Sequence, residues 1–321
     1  MSAARTILAV EDLRVHFHVP RGVVRAVDGV SLDLERGETL GLVGESGCGK
    51  STVARAIVAL VPPTGGDIRF KGESLVGLAR RQMRPLRRDL QMVFQDPYAS
   101  LNPRMSIAST IGEPMRIHGT VARSDLDGRV CEIMELVGLD PSMRRRYPHE
   151  FSGGQRQRIG LARALALEPD VILLDEPVSA LDVSVQAQVL NLLDDLKSRL
   201  GLTYLFIAHH LAVVRHMSER VAVMYLGRIV ELADREHLYT DPLHPYTEAL
   251  MSAIPVPDPV VEAERKRIPI EGELPSPTAT ITGCPFRSRC PKAFERCAVE
   301  APELLEHRPG HLAACHLPET E

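Results

Sequence analysis

Three stretches of the chain carry residue types that handle phosphate when spaced as they are here. Gly44-Glu45-Ser46-Gly47-Cys48-Gly49-Lys50-Ser51 has the form G-x-x-x-x-G-K-[ST] without a gap, and Thr52 follows it. A loop that wraps backbone N–H groups around phosphate oxygens needs glycine wherever a side chain would block approach. Lys50 adds a full charge near the outer phosphates, and the Ser51 hydroxyl is a ligand for Mg²⁺. Cys48 reads as a small residue whose backbone matters, not as a redox group. Further along, the apolar run Val171–Leu174 ends in Asp175-Glu176. Carboxylates at the C-terminal edge of a buried strand stand where ligands bind in such sheets. Asp175 suits Mg²⁺ held through water, and Glu176 suits orienting or deprotonating an attacking water. Ser152-Gly153-Gly154-Gln155 opens a helix. Ser152 is a natural cap and the glycines leave N–H groups open, which makes a second anion-binding helix start. One nucleotide does not need two such starts from one chain, so the second is expected to serve a nucleotide held by another subunit. The blander readings are a chance glycine-rich turn and a surface Asp-Glu pair. The strand before the loop and the helix after it supply the context that the motif requires.

Positioning these groups takes strands and helices in alternation. Thr39–Val43 reads as a strand leading into the loop, and Lys50 to Leu60 as a helix with Val53, Ile57, Val58 and Leu60 on its apolar side. Val171–Leu174 is a continuous apolar run, as expected of a strand buried on both faces. Ser184 to Leu200 is amphipathic, with Val185, Val189, Leu192, Leu196 and Leu200 at three- and four-residue steps and Gly201 as its stop. Thr203–Ile207 and Val221–Tyr225 are further strands. The alternation predicts an α/β sheet. Asp96 to Glu150 has helical stretches, Asp125–Val137 among them, and little strand signal. From Asp234 onward prolines recur and break regular structure. The organisation expected is a core of residues 1–95 and 151–234, a helical subdomain of residues 96–150 inserted into it, and an extension of residues 235–321.

Composition excludes several classes. The 321 residues carry 38 Lys plus Arg against 42 Asp plus Glu, too balanced for a dedicated nucleic-acid binder. Aromatics are 4% and Trp is absent, which disfavours an aromatic cage or sugar platform. The longest apolar runs, such as Val171–Leu174 and Val221–Leu226, fall far short of the roughly 20 residues of a bilayer span. The first dozen residues lack an apolar signal core, so export is not expected. The basic runs Arg80, Arg81, Arg84, Arg87, Arg88 and Arg144–Arg146 read as a solvated or partner-facing surface, not as a nucleic-acid patch.

The Gly44–Ser51 loop, Gln95 after an apolar run, Ser152–Gln155, Val171–Glu176, Ser179-Ala180-Leu181-Asp182 and His209 together resemble an ABC-type ATPase domain. The resemblance covers about Leu8 to Asp234. It implies a P-loop NTPase fold with a RecA-like mixed sheet, a helical subdomain and an irregular extension. It also implies ATP and Mg²⁺ as cofactors and head-to-tail dimers with ATP between the loop of one subunit and the signature of the other. On this resemblance Ser51, Gln95 and Asp175 serve Mg²⁺, and Gln95 also contacts the attacking water. Glu176 is the catalytic carboxylate, Asp182 lies at the dimer interface, and His209 contacts the γ-phosphate. Phe17 is the candidate to stack on adenine. Two positions depart from the family pattern: Phe151 stands where Leu is usual, and His210 where an Asp commonly follows the histidine.

Pro148-His149-Glu150-Phe151, Gln95-Asp96-Pro97, Ser100-Leu101-Asn102-Pro103 and Leu243-His244-Pro245-Tyr246-Thr247 resemble the dipeptide/oligopeptide importer subgroup, which also serves nickel, glutathione and some oligosaccharides. That resemblance implies a peripheral subunit on the cytoplasmic face of the membrane. Its partners would be a paralogous ATPase subunit in a heterodimer, two transmembrane permeases and an extracytoplasmic substrate-binding protein. The spacing C-x5-C-x6-C-x17-C of Cys284, Cys290, Cys297 and Cys315 lacks the tight pairs of zinc ribbons. Four thiolates suit an iron–sulfur cluster or zinc, and members of the subgroup carry a [4Fe-4S] cluster here; unligated thiols are the remaining reading. Two other classes share the ATPase core. A DNA-repair ATPase needs a long coiled-coil insertion, for which the segment between Gln95 and the signature is too short. A translation-factor ATPase normally carries two phosphate loops, and this chain has one.

Overall fold

The computed structural model describes residues 5–20, 22–254, 267–273, 275–276, 278–279 and 281–319. The chain divides into two compact units, one built mainly on Gly77–Ile207 with Glu35–Glu38, the other on Thr6–Leu34, Thr39–Val76 and Ala208–Glu321.

The first unit is built on three parallel strands. Val171–Asp175 lies between Leu90–Val93 and Thr203–Ile207, with Leu173 opposite both Met92 and Leu205. All five residues of Val171–Asp175 and of Thr203–Ile207 are buried, which is why both read as continuous apolar runs. Helices Ile107–His118, Leu126–Leu136 and Gly153–Leu165 pack on one another. Ser106 caps the first of these through the Ser109 N–H, and Gly119 closes it at φ 65°. Helix Val183–Leu200 is capped by Asp182, whose carboxylate accepts from the Val185 N–H at 3.0 Å, and is closed by Gly201. Its buried face is Val189, Leu190, Leu193 and Leu196; Leu200 is exposed. The expected stripe is therefore right at Val189 and Leu196 and rotated elsewhere. Val185 and Leu192 are half-buried, and Leu190 and Leu193 take the covered places beside Val189 and Leu196.

The second unit holds two sheets. One has the order Gly22–Glu35, Thr6–Val19, Gly65–Phe70, Glu73–Ser74, with Leu8 opposite Phe70. In the other, Thr39–Val43 runs parallel to Arg220–Tyr225. That strand turns back through Leu226 and Gly227, both at positive φ, into antiparallel Arg228–Asp234. Two successive positive φ values match the twist of a tight hairpin. The sheet continues through His311–Ala313 and Leu305–Arg308. The helix after the phosphate loop spans Lys50–Ile57. It stops short of Leu60 because Ala59 turns the chain at φ 53°, and Leu60 is left 54% exposed instead of buried. The extension is more regular than its prolines suggest. It contains helices Arg235–Thr240, Pro245–Ser252 and Glu295–Val299 besides the two strands. Among the described residues no helix is long and apolar enough to cross a membrane.

Candidate nucleotide-binding site

The loop from Gly44 to Ser51 has the backbone that its sequence demands. Gly44, Gly47 and Gly49 all take positive φ, at 152°, 82° and 109°. A Cβ at Gly44 would collide with the Met224 carbonyl and one at Gly49 with the Ala26 carbonyl, so the glycines serve close backbone approach as well as turning. Lys50 is buried, and its ammonium donates to the Gly44 and Glu45 carbonyls at 2.8 and 3.0 Å. The cation is thus held against the loop. Cys48 is buried and burial pushes its thiol up, which keeps it neutral and supports the packing reading. Ser51 and Thr52 stand in the first turn of the following helix. Also in this unit, Phe17 lies exposed on strand Thr6–Val19, and His209 is exposed two residues before helix Leu211–Met217. His210 is the N-cap residue of that helix but its ring makes no capping hydrogen bond, a bond that an Asp there is suited to make.

In the other unit, Asp175 is fully buried at the end of its strand. Glu176 follows at φ 47°, a left-handed conformation costly for a side chain with a Cβ. Its N–H donates to the Ile207 carbonyl at 2.9 Å, which holds the turn. Gln95 Nε2 donates to Glu176 Oε2 at 2.8 Å, so two residues picked separately from the sequence meet. Ser152 and Gln155 form a reciprocal capping box, the Ser152 hydroxyl accepting from the Gln155 N–H and the Gln155 side chain from the Ser152 N–H. Gly154 has a further reason for its lack of a side chain, because a Cβ there would collide with Val185. Asp182 accepts from the Ser184 hydroxyl and the Val185 N–H, which lower its pKa. The arginine-rich run forms helix Arg80–Asp89, of which only Met83 is buried, in keeping with a solvated face.

The extension reveals a residue that sequence reasoning missed. Glu231, fully buried on strand Arg228–Asp234, accepts from the Leu243 N–H at 2.7 Å and the His244 N–H at 3.0 Å, and pairs with His311 at 2.7 Å. His244 Nδ1 accepts from the Tyr246 N–H at 3.0 Å and so caps the helix that Pro245 begins. Burial holds His244 down to about 4, hence neutral. The Leu-His-Pro-Tyr motif is therefore a buried turn built around one carboxylate. An acidic residue in the middle of an apolar strand was the available signal.

Cys284, Cys290, Cys297 and Cys315, expected to ligate a cluster, do line one small pocket with His244, Phe286 and His316. Among the described residues no three of His, Cys, Asp or Glu stand so as to hold a metal ion. Burial pushes the Cys284 and Cys290 thiols up, and that of Cys315 to about 11. None of the six cysteines is in a disulfide.

The family described as "ABC transporter" matches residues 27–179, and that described as "Oligopeptide/dipeptide transporter, C-terminal region" matches residues 230–297. A dimeric post-hydrolysis structure of the ATP-binding cassette MJ0796 bound to ADP and Pi superposes with a TM-score of 0.66 at 27% identity, over 71% of this chain and 98% of that one. On these likenesses the chain belongs to the ABC transporter ATP-binding proteins, an ATPase class. It is 54% identical to the oligopeptide transport ATP-binding protein OppF of Salmonella typhimurium, over 97% of this chain and 96% of that protein. It is 52% identical to the oligopeptide transport ATP-binding protein AppF of Bacillus subtilis, over 99% of each.

Proposed function

We propose that the chain is the ATP-hydrolysing subunit of an importer that carries dipeptides or oligopeptides across the cytoplasmic membrane. The observation that carries this reading is the likeness, along nearly the whole chain and through its C-terminal region, to oligopeptide transport ATP-binding proteins. In this reading Gly44 to Thr52 cradle the phosphates of ATP. Lys50 transfers its charge from the Gly44 and Glu45 carbonyls to the outer phosphates. Ser51, Gln95 and Asp175 would hold Mg²⁺, and their hydroxyl, amide and carboxylate oxygens are the donor set that a hard cation takes. Bound there, Mg²⁺ neutralises phosphate charge. Glu176, steadied by Gln95, orients the attacking water and accepts its proton, and His209 contacts the γ-phosphate. Phe17 stacks on adenine. Ser152–Gln155 and Asp182 act on the nucleotide held by a paralogous subunit in a head-to-tail heterodimer.

Residues 96–150 serve as the subdomain facing two membrane permeases, with residues 1–95 and 151–234 as the core. The subunit lies peripherally on the cytoplasmic face, and an extracytoplasmic binding protein delivers the peptide. That the four cysteines of the extension line one pocket supports a binding role for them, for a [4Fe-4S] cluster or alternatively zinc, once the thiols are deprotonated. Iron, sulfide and zinc analysis of anaerobically purified protein tests this.

The Glu176→Gln change tests the catalytic assignment. It keeps the shape and the contact to Gln95 but removes the base. ATP binding should persist while hydrolysis in the assembled transporter falls about a hundredfold or more. Hydrolysis at the wild-type rate would defeat the assignment.

A further inference from the structure

Glu45 is an awkward residue for its position. A carboxylate in a loop that receives a triphosphate is a like charge beside the ligand, and left free it would oppose binding. The chain answers it with groups from the extension. Arg289 Nη1 and Nη2 donate to the Glu45 carboxylate at 2.9 and 3.1 Å, a two-pronged pair. The Arg289 side chain is 8% exposed and Glu45 27%, so water screens the pair only partly. The Glu45 backbone N–H donates to the Tyr246 hydroxyl at 2.9 Å. The loop residue is thus gripped at side chain and backbone together.

The grip is itself supported. Tyr246 is fully buried, its ring 4.7 Å from Tyr225 and 5.4 Å from Phe286. The Arg289 guanidinium lies over the Tyr225 ring and reaches its hydroxyl at 3.5 Å. Tyr246 belongs to the turn organised by Glu231, and Arg289 immediately precedes Cys290. The Glu45 carbonyl is in turn one of the acceptors of the Lys50 ammonium.

We propose that Arg289 and Tyr246 of the extension are positioning residues of the phosphate loop, which neutralise and fix Glu45 so that the loop accepts ATP. The inference rests on the reading of Gly44 to Thr52 as the ATP phosphate loop. It makes nucleotide affinity a property of the extension as well as of the core.

The test is Mg-ATP binding to the full-length chain by calorimetry at fixed ionic strength. Arg289→Ala should raise Kd about tenfold, since it frees a partly buried carboxylate beside the ligand. Adding Glu45→Gln to that variant removes the freed charge and should lower Kd again by about fivefold. A role in packing alone would not respond to this second change. Tyr246→Phe keeps the ring packing and loses the hydroxyl acceptor, and should raise Kd about threefold. If Arg289→Ala does not fold, Arg289→Lys keeps the charge and loses the fork, with a similar threefold rise and the same recovery by Glu45→Gln. An unchanged Kd in the Arg289 and Tyr246 variants, or a loss that Glu45→Gln fails to recover, overturns the inference. Lys50→Ala separates the two levels. If it binds ATP like the wild type, the reading of the loop itself is wrong; if it does not bind while the clamp variants bind normally, only the clamp is wrong.

Discussion

His244 gives the most quantitative prediction. It is fully buried, and burial holds its pKa at about 4 against an ordinary 6.5. Nearby Glu231 pulls the other way without overcoming burial. Between those two values the unfolded chain carries a proton on this ring that the folded chain refuses. Stability therefore rises with pH across this window, by 2.3RT per unit for each proton difference. The penalty is absent above the unfolded value, starts as pH falls below about 6.5 and is complete near 4. At about 1.4 kcal/mol per unit, the window amounts to about 3 kcal/mol. The perturbation that isolates it is His244→Asn. Asn is a good N-cap, and its side-chain oxygen can accept from the Tyr246 N–H as Nδ1 does, without titrating. Urea unfolding followed by circular dichroism at 222 nm, from pH 7.5 to 4.5, gives two curves of stability against pH. Their difference removes the carboxylates and other histidines common to both proteins. It should stay level above pH 6.5 and then change by about 2–3 kcal/mol in favour of the variant by pH 4.5. Parallel curves through the whole range would refute the reasoning, because they would mean that His244 takes up a proton in the folded chain as readily as in the unfolded one.

Three further outcomes follow from contacts described above. Gly154→Ala forces a Cβ into Val185 and should lower stability by about 1–3 kcal/mol, and Val185→Ala in the same chain should recover most of the loss, both read by thermal melting. Tyr204→Phe removes a buried hydroxyl that donates to the Leu193 carbonyl at 3.1 Å, and should cost about 1 kcal/mol in urea unfolding with little change in the slope. His210→Asp supplies the absent cap of helix Leu211–Met217 and should raise the melting temperature by a few degrees; a fall would show that the ring itself is needed there.

The buried parallel strands were legible because burial on both faces leaves a run such as Val171–Leu174 with no polar interruption. The long strands Thr6–Val19 and Gly22–Glu35 were not. Their sheet is exposed on one side, and the alternation that should betray them is broken where Asp12 takes φ 47° and the register shifts between Glu11 and Arg14. Strand His311–Ala313 is too short to show any period. The phosphate loop was legible because its demands are local: glycines, a lysine and a hydroxyl within eight residues. The Arg289–Glu45 pair and the Glu231 turn were not, because each joins residues far apart in the chain, 244 positions in the first case, and no spacing rule reaches that far. The four cysteines were expected to be gathered and are.

Strand Arg228–Asp234 has a vulnerable side. Its apolar residues Ile229, Val230, Leu232 and Ala233 are buried, and its free hydrogen-bonding row is occupied by His311–Ala313, with Glu231 opposite Ala313 and Leu232 opposite Leu312. An uncovered strand of this kind is a template for the next molecule. During synthesis the template appears early, and its cover is not made until residue 311. The nascent chain is therefore most prone to self-association in that interval, and a chain cut after Asp234 would remain in it permanently. Such a truncated chain is expected to scatter more light at equal concentration than the full chain.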